Sequence, residues 1–530
     1  MKKTNSKKIF NNKKLEHIAA IIGVALLLCV YPFIFSRGYS DITYTRFMFF
    51  CVVSIVIFAI CAIKLLSATT SVKLSLKKYF LSLTAVDKAF WCFFAATFFS
   101  FVLSEYKLAA LFGDLGRYMG FLLFLSVFLM YLWVSRFYQL TERMMRAFGI
   151  ICIVIAIFTL LQFKGADLFG FIKAVPFEKR RNFLSPFGNI NVFASFLSVA
   201  TPFSMYMFCF TQKENAKSVL FYGTVCAANF ISLLTSNSDS IYVMFAAVLV
   251  VLLILSCEKP EAFNRFLLLC AIFFGATILF AVIHYIVKGN RDTSSLTKVY
   301  ITSILPYAGA LISFVLYQLF SKRPLCTNTL RKIRKAIIIL VILCIVTVAS
   351  CMIYFTKFNT TADLGFLNHY LRFNDSWGTD RGYLWTRLIR IFSEASLKEK
   401  LFGFGEETVS VVMIKNYLTE MRTQLGYLFD NAHNEFLHYL ITTGLFGLGS
   451  YIAVLFCAIM LYKKQQTSLL QKALILSVIG YCVQSFFNII QPIATPFIFI
   501  TVALIRCRCE DTDNTTTNTQ TISDNTIEEV

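Results

Sequence analysis

The chain has 530 residues, 57% of them hydrophobic, with 57 phenylalanines and a formal net charge of +21. Its mean hydropathy is +0.68, which excludes a soluble protein of ordinary composition and indicates an all-α, polytopic membrane helix bundle. The positive charge does not imply nucleic acid, because much of it follows from membrane sorting and attraction to anionic membrane lipids.

The first 16 residues are a long basic stretch, and the apolar run after them continues for a full bilayer width without a small-residue cleavage pattern, so this is an anchor and not a cleavable signal. Runs of spanning length follow near 17–36, 46–67, 88–104, 119–138, 145–163, 191–211, 218–235, 240–257, 265–287, 298–320, 336–355, 436–462, 469–489 and 491–506. The expected count is about 14 helices, within a range of roughly 12 to 14. Lys2, Lys3, Lys7, Lys8, Lys13 and Lys14 precede the first span, and Lys322, Arg323, Arg331, Lys332, Arg334 and Lys335 crowd a later loop. Lys463 and Lys464 fall on the same side, which by the charge rule is cytoplasmic together with both termini. The sixteen cysteines lie mostly within spans and outline no disulfide framework.

In this register the two longest outward segments are 164–190 and 356–432, within a membrane domain over 1–507. Both are basic where sorting does not ask for it: Lys179, Arg180 and Arg181 end the first, and Arg372, Arg381, Arg387, Arg390, Lys398 and Lys400 populate the second. Such a cluster suits an anionic ligand at the outer leaflet. Residues 381–395 read as a helix on or near the membrane surface, with Leu384, Trp385, Leu388, Ile389 and Phe392 on its apolar face. Arg381 falls within that face and needs an anionic partner, whereas Arg387 and Arg390 point the other way and are solvated.

Next comes His433-Asn434-Glu435, followed by Gly444 and Gly447, a titratable ring at the mouth of an apolar span. At about 100° per residue His433 and Gly444 lie on nearly one helical face, so the glycines let a second helix pack below the imidazole. His438 is rotated about 140° from His433 and reads as structural. The residues from 508 to 530 are polar and form an expected disordered cytoplasmic tail. Its Asp511-Thr512-Asp513 has no α/β domain around it to hold a nucleotide, and no Walker sequence or dinucleotide fingerprint is present.

Three separated patches resemble the O-antigen ligase and polymerase superfamily of bacterial membrane glycosyltransferases. They are Arg181 with Phe187-Gly188-Asn189-Ile190-Asn191, then Phe193-Ala194; Arg381-Gly382-Tyr383-Leu384-Trp385 with Leu401-Phe402-Gly403-Phe404-Gly405; and Asp430-Asn431-Ala432-His433-Asn434-Glu435-Phe436 with Gly444 and Gly447. Ala110-Leu111-Phe112-Gly113 with Arg117 and Gly120 resembles the family's early outer loop. Ile190 departs from the pattern, since members commonly have proline there.

The resemblance implies transfer of a glycan from a polyprenyl diphosphate carrier to an acceptor hydroxyl on a glycan or lipid-linked glycan, at the outer leaflet of a bacterial inner membrane. It implies no nucleotide sugar, no cofactor and no required metal. Arg181 and Arg381 suit a clamp on the diphosphate leaving group, because arginine is permanently charged and multidentate. His433 suits the base that takes the acceptor proton near its ordinary pKa of about 6.5, with Asp430 orienting or tuning it. A direct displacement of this kind inverts the anomeric carbon.

Arg117, Asn189, Asn191, Trp385, Asp430 and Asn434 are candidate substrate-binding residues. Three of them have a plainer reading: Arg117 as a structural ion pair, Asn189 and Asn191 as helix caps. Gly403 and Gly405 permit a turn. A ligase and a polymerase are both compatible with these residues. A flippase or transporter for lipid-linked saccharide is the alternative, although its ionisable groups are expected nearer the midplane than these.

Overall fold

The computed structural model describes residues 15–68, 80–173, 175–212, 214–287 and 293–509. The basic stretch through Lys14 and the tail from Glu510 onward, with its Asp511-Thr512-Asp513, lie outside the described residues. The fold is an all-α polytopic bundle, and the only strands among the described residues are two-residue pairs. Ten helices are long and apolar enough to span a membrane, or eleven if the pair Ser295–Thr302 and Leu305–Lys322, bent by 60°, is one broken span. Three further expected spans are helices too short for that test, Phe121–Phe137, Leu469–Ser485 and Thr495–Arg506.

Seven helices matter below: α1 (Leu15–Phe33), α2 (Ala85–Leu103), α3 (Phe121–Phe137), α4 (Ile190–Phe210), α5 (Glu435–Met460), α6 (Leu469–Ser485) and α7 (Thr495–Arg506). Their starts are written locally. Thr84 and Asp87 form a capping box on α2, Asn189 caps α4, Asn434 caps α5, and Ser468 and Gln471 box α6. The whole spanning window of α4 is buried, making it the central pillar. Gly480 of α6 sits against Pro202 and the Ser198 carbonyl of α4, where a Cβ would come within 2.8 Å, and Ser477 Oγ donates to the Val199 carbonyl at 2.7 Å. Pro202 removes one backbone donor, and the helices meet where a side chain is missing.

The helix Thr327–Phe358 differs: none of its apolar window is buried inside the protein. It leads into the longest expected outer segment, which is largely helical. Trp377–Glu394 and Val409–Glu420 build a small separate core in which Tyr383, Leu384, Trp385, Leu388 and Ile391 pack with Val412, Met413 and Ile441. The amphipathic face expected over 381–395 is therefore covered by protein. Ile389, placed on that face, is 55% exposed instead, and the buried row runs through Ile391.

The chain end differs from expectation at one point. Arg508 and Cys509, placed in the expected tail, pair in parallel with Gln139 and Leu140.

Candidate active site

At one end of the bundle α5 does not run as a single helix. Gly444 has φ 68° and ψ −165°, a conformation essentially reserved to glycine, and a Cβ there would overlap the Leu401 carbonyl. The break frees carbonyls that must be satisfied away from water. The backbone N–H groups of Phe404 and Gly405 donate to the Ile441 and Thr442 carbonyls, each at 3.0 Å, and Ser100 Oγ donates to Thr442 O at 2.6 Å. Gly444 thus admits the end of a short helix and the turn after it, whereas a Cβ at Gly447 would meet the Thr443 side chain of its own helix. The common face expected for His433 and Gly444 fails because His433 precedes the Asn434 cap and Gly444 is non-helical.

Just beyond this turn lie two adjacent, fully buried acids, Glu406 and Glu407. Arg117 binds Glu407 to the rest of the site. Its Nε donates to Glu407 Oε1, its Nη1 to Asp430 Oδ2 at 3.0 Å and its Nη2 to the Ile490 carbonyl at 2.7 Å. At 4% exposure and with all three nitrogens engaged, Arg117 has the structural pairing that was its plainer reading. Glu407 Oε2 faces His438 Nε2 at 3.5 Å. Burial pushes the Glu407 carboxyl up to about 7 against the opposing pull of Arg117, and burial with the neighbouring Glu407 pushes Glu406 well above the carboxylate range. Neither Glu406 oxygen has a hydrogen-bond partner among the described residues, as suits a neutral carboxyl.

Arg381 opens the helical part of Trp377–Glu394, directly after Gly378, Thr379 and Asp380 in the left-handed region. Its Nη1 donates to the Gly378 carbonyl at 2.8 Å and its Nη2 to the Phe487 carbonyl at 3.3 Å. Its buried Nε has no hydrogen-bond partner, and no carboxylate among the described residues pairs with it. Burial accordingly pulls the guanidinium below its ordinary range. Arg387 is not simply solvated: it pairs with Asp375 and Glu420, both at 2.7 Å, and lies over the Tyr383 ring. Arg390 is exposed, with Glu394 beside it at 3.7 Å.

His433 has φ 47°, and its N–H donates to Asn431 Oδ1 at 2.8 Å. The ring makes no hydrogen bond among the described residues, and Nδ1 is buried. Burial first, then the positive charge of Arg381, lowers the imidazole to about 4, opposed by Asp430. The ring is therefore neutral at physiological pH, with a pKa well below the ordinary value expected from sequence. Asp430 tunes it by charge and not by a direct hydrogen bond. The Asp430 carboxyl itself is held below its usual range by Arg117 and His433, despite burial.

Of the remaining candidates, Trp385 donates from Nε1 to the Ala432 carbonyl at 3.0 Å and so fixes the backbone next to His433. Asn434 accepts from Leu437 N at 3.0 Å, and Asn189 accepts from Asn191 N at 2.8 Å, so both act as caps. Arg181 is exposed on a 3-10 turn at Phe177–Asn182, whereas Arg180 is held by the Val175 carbonyl at 3.0 Å. Asn191 is tied to the site through its carbonyl, which accepts from Asn488 Nδ2 at 2.6 Å.

That last contact belongs to the segment 486–494, which was expected to lie at the junction of two spans. It instead links the patches: Phe487 O receives Arg381, Ile490 O receives Arg117, Asn488 holds Asn191, and Pro492 O receives the Tyr31 hydroxyl. Its uneven apolar run, with Asn488, Gln491 and Pro492 in succession, was the available signal. Fully buried Arg46 was also missed; it donates to the Ile34 and Pro186 carbonyls at 3.1 and 2.6 Å and supports the loop before α4. Glu406 and Glu407 were missed because nothing local distinguishes them from a solvated acidic pair.

Neither a curated protein nor a solved structure matches the chain. A family model described as O-Antigen ligase matches residues 224–452, a range containing Arg381, Glu407, Asp430, His433 and the Gly444 break. Over that stretch the chain is similar to the O-antigen ligase family.

Proposed function

We propose that this chain transfers a glycan from a polyprenyl diphosphate carrier to an acceptor hydroxyl at the outer leaflet of a bacterial inner membrane, without a metal ion and with inversion. The observation that carries the reading is the juxtaposition of Arg381, a largely buried cation with no carboxylate partner, and His433, a neutral imidazole with no hydrogen bond. A buried charge of this kind is costly until an anion arrives. A diphosphate supplies that anion, and its negative charge grows as the glycosidic bond breaks. The Arg381 guanidinium stabilises it, and Arg181, exposed on the turn Phe177–Asn182, supplies a second donor.

His433 accepts the proton of the acceptor hydroxyl as that oxygen attacks the anomeric carbon, and the diphosphate leaves with the bonding pair. The neutral form of the ring is the competent one. Anion binding beside Arg381 offsets the charge that depresses the imidazole, so the ring becomes a stronger base once carrier is bound. Trp385 and the Arg117–Asp430 pair hold the 430–434 turn, Asn189 and Asn434 shape its surroundings as caps, and Asn191 does so through its contacts with Ser238 and Asn488.

The test is transfer by purified protein in liposomes with carrier-linked glycan and a chelator. Product in which the new linkage is inverted relative to the carrier linkage supports the reading, and product length separates a ligase from a polymerase. Retained configuration would contradict the single displacement. Movement of labelled carrier across the bilayer without any product would instead establish the flippase reading.

A further inference from the structure

The end of the bundle opposite the site holds a cavity of about 590 Å³, a size typical of small-molecule sites. Arg136 at the end of α3, Arg506 at the end of α7, Arg508 on the strand after it and His17 near the start of α1 line it, with Ser82 and Ser135. The carboxylate of Asp87 serves two of these cations. Asp87, almost fully buried, receives Arg506 Nε at 2.9 Å and lies 3.6 Å from Arg136 Nη2. Tyr131 also donates to it, at 2.7 Å.

The way Asp87 is used matters. Arg506 approaches it through Nε, which also donates to Thr84 Oγ1 at 3.0 Å, and its terminal nitrogens make no hydrogen bond among the described residues. Arg508 is exposed and makes no ion pair among them. His17 Nδ1 donates to the Phe137 carbonyl at 3.2 Å, which leaves its Nε2 uncommitted by that bond. Three guanidiniums thus converge from separate elements on one concavity whose described lining contains no acid. Membrane sorting asks only for positive charge in the loops, which the surface lysines of the 322–335 and 463–464 segments supply without convergence. A cationic concavity with low-dielectric walls focuses potential, and the arginine fork matches phosphate oxygens.

We propose that this cavity binds a phosphate group, with Arg506 and Arg508 as its principal donors and Arg136 completing the positive wall. The phosphate is that of a lipid headgroup from the adjoining leaflet or of a soluble phosphate ester. The full chain in detergent is titrated with phosphatidylglycerol, with glycerol phosphate and with phosphate-free diacylglycerol, using native mass spectrometry for the lipids and calorimetry for the ester. Saturable binding of a phosphate-bearing probe is expected, weakened about tenfold by Arg508→Gln, which sits at the exposed rim and leaves thermal stability unchanged, and by Arg506→Gln. Tenfold corresponds to about 1.4 kcal/mol. Binding of the lipid alone identifies a headgroup site, and equal binding of glycerol phosphate identifies a soluble ligand. Affinity unaffected by Arg508→Gln and Arg506→Gln, or diacylglycerol binding as well as phosphatidylglycerol, would overturn the proposal.

Discussion

Two side chains in the candidate site are held in states they would not choose in water. His433 is kept neutral by burial and by Arg381, and Arg381 is buried without a carboxylate. The sign of their coupling is testable directly. With histidine-labelled protein, the His433 ring resonance, assigned by its loss in His433→Gln, is expected to stay unprotonated as pH falls from 7 to 5 and to titrate near 4. Arg381→Gln removes a positive neighbour, so the titration moves up; a His433 that titrates near 6.5 in both proteins would disprove the coupling. Sequence reasoning identified both residues, from the amphipathic position of Arg381 and the family motif around His433. It misjudged the imidazole pKa because the burying atoms come from distant elements.

At the scale of elements, the break in α5 organises the site. Gly444 occupies a backbone conformation closed to other residues and its missing side chain admits the Leu401 carbonyl. Gly444→Ala is expected to cost about 1 to 3 kcal/mol for backbone strain alone, before overlap is relieved, seen as a fall in the unfolding midpoint. Gly449, five residues later in the same helix, has open space around it, so Gly449→Ala is expected to be neutral or slightly stabilising. Equal midpoints for the two variants would mean that α5 tolerates an unbroken helix. The apolar run was legible as a span, but the break was not, because a glycine in a helix pattern is usually just tolerated. The short amphipathic helix from Arg381 was legible to within a residue at its start, since the period of its apolar residues is local; its cover by protein was not, because that partner lies elsewhere in the chain.

Across the whole molecule, the segment 486–494 and Arg117 tie together patches hundreds of residues apart. The bundle, its helical class and most spans follow from composition and hydropathy; these ties do not, because a hydrogen bond to a backbone carbonyl leaves no mark on residue identity. Arg117 and Glu407 form a buried pair, so Arg117→Met alone is expected to destabilise by about 3 to 5 kcal/mol, limited by the ability of Glu407 to take up a proton. The double variant Arg117→Met, Glu407→Leu should lose less than the sum of the singles. Additive losses in a double-mutant cycle would show that the pair is not coupled.

The most direct measurement separates carrier binding from transfer in the same liposomes, comparing the native chain with Arg381→Ala and His433→Ala. Arg381→Ala is expected to weaken carrier binding and to slow transfer by about 10² to 10³. His433→Ala is expected to bind carrier like the native chain while transfer falls by about 10² to 10⁴. Native rates of transfer by His433→Ala, or unaltered binding and transfer by Arg381→Ala, would contradict the assignment of leaving-group clamp and acceptor base to this pair.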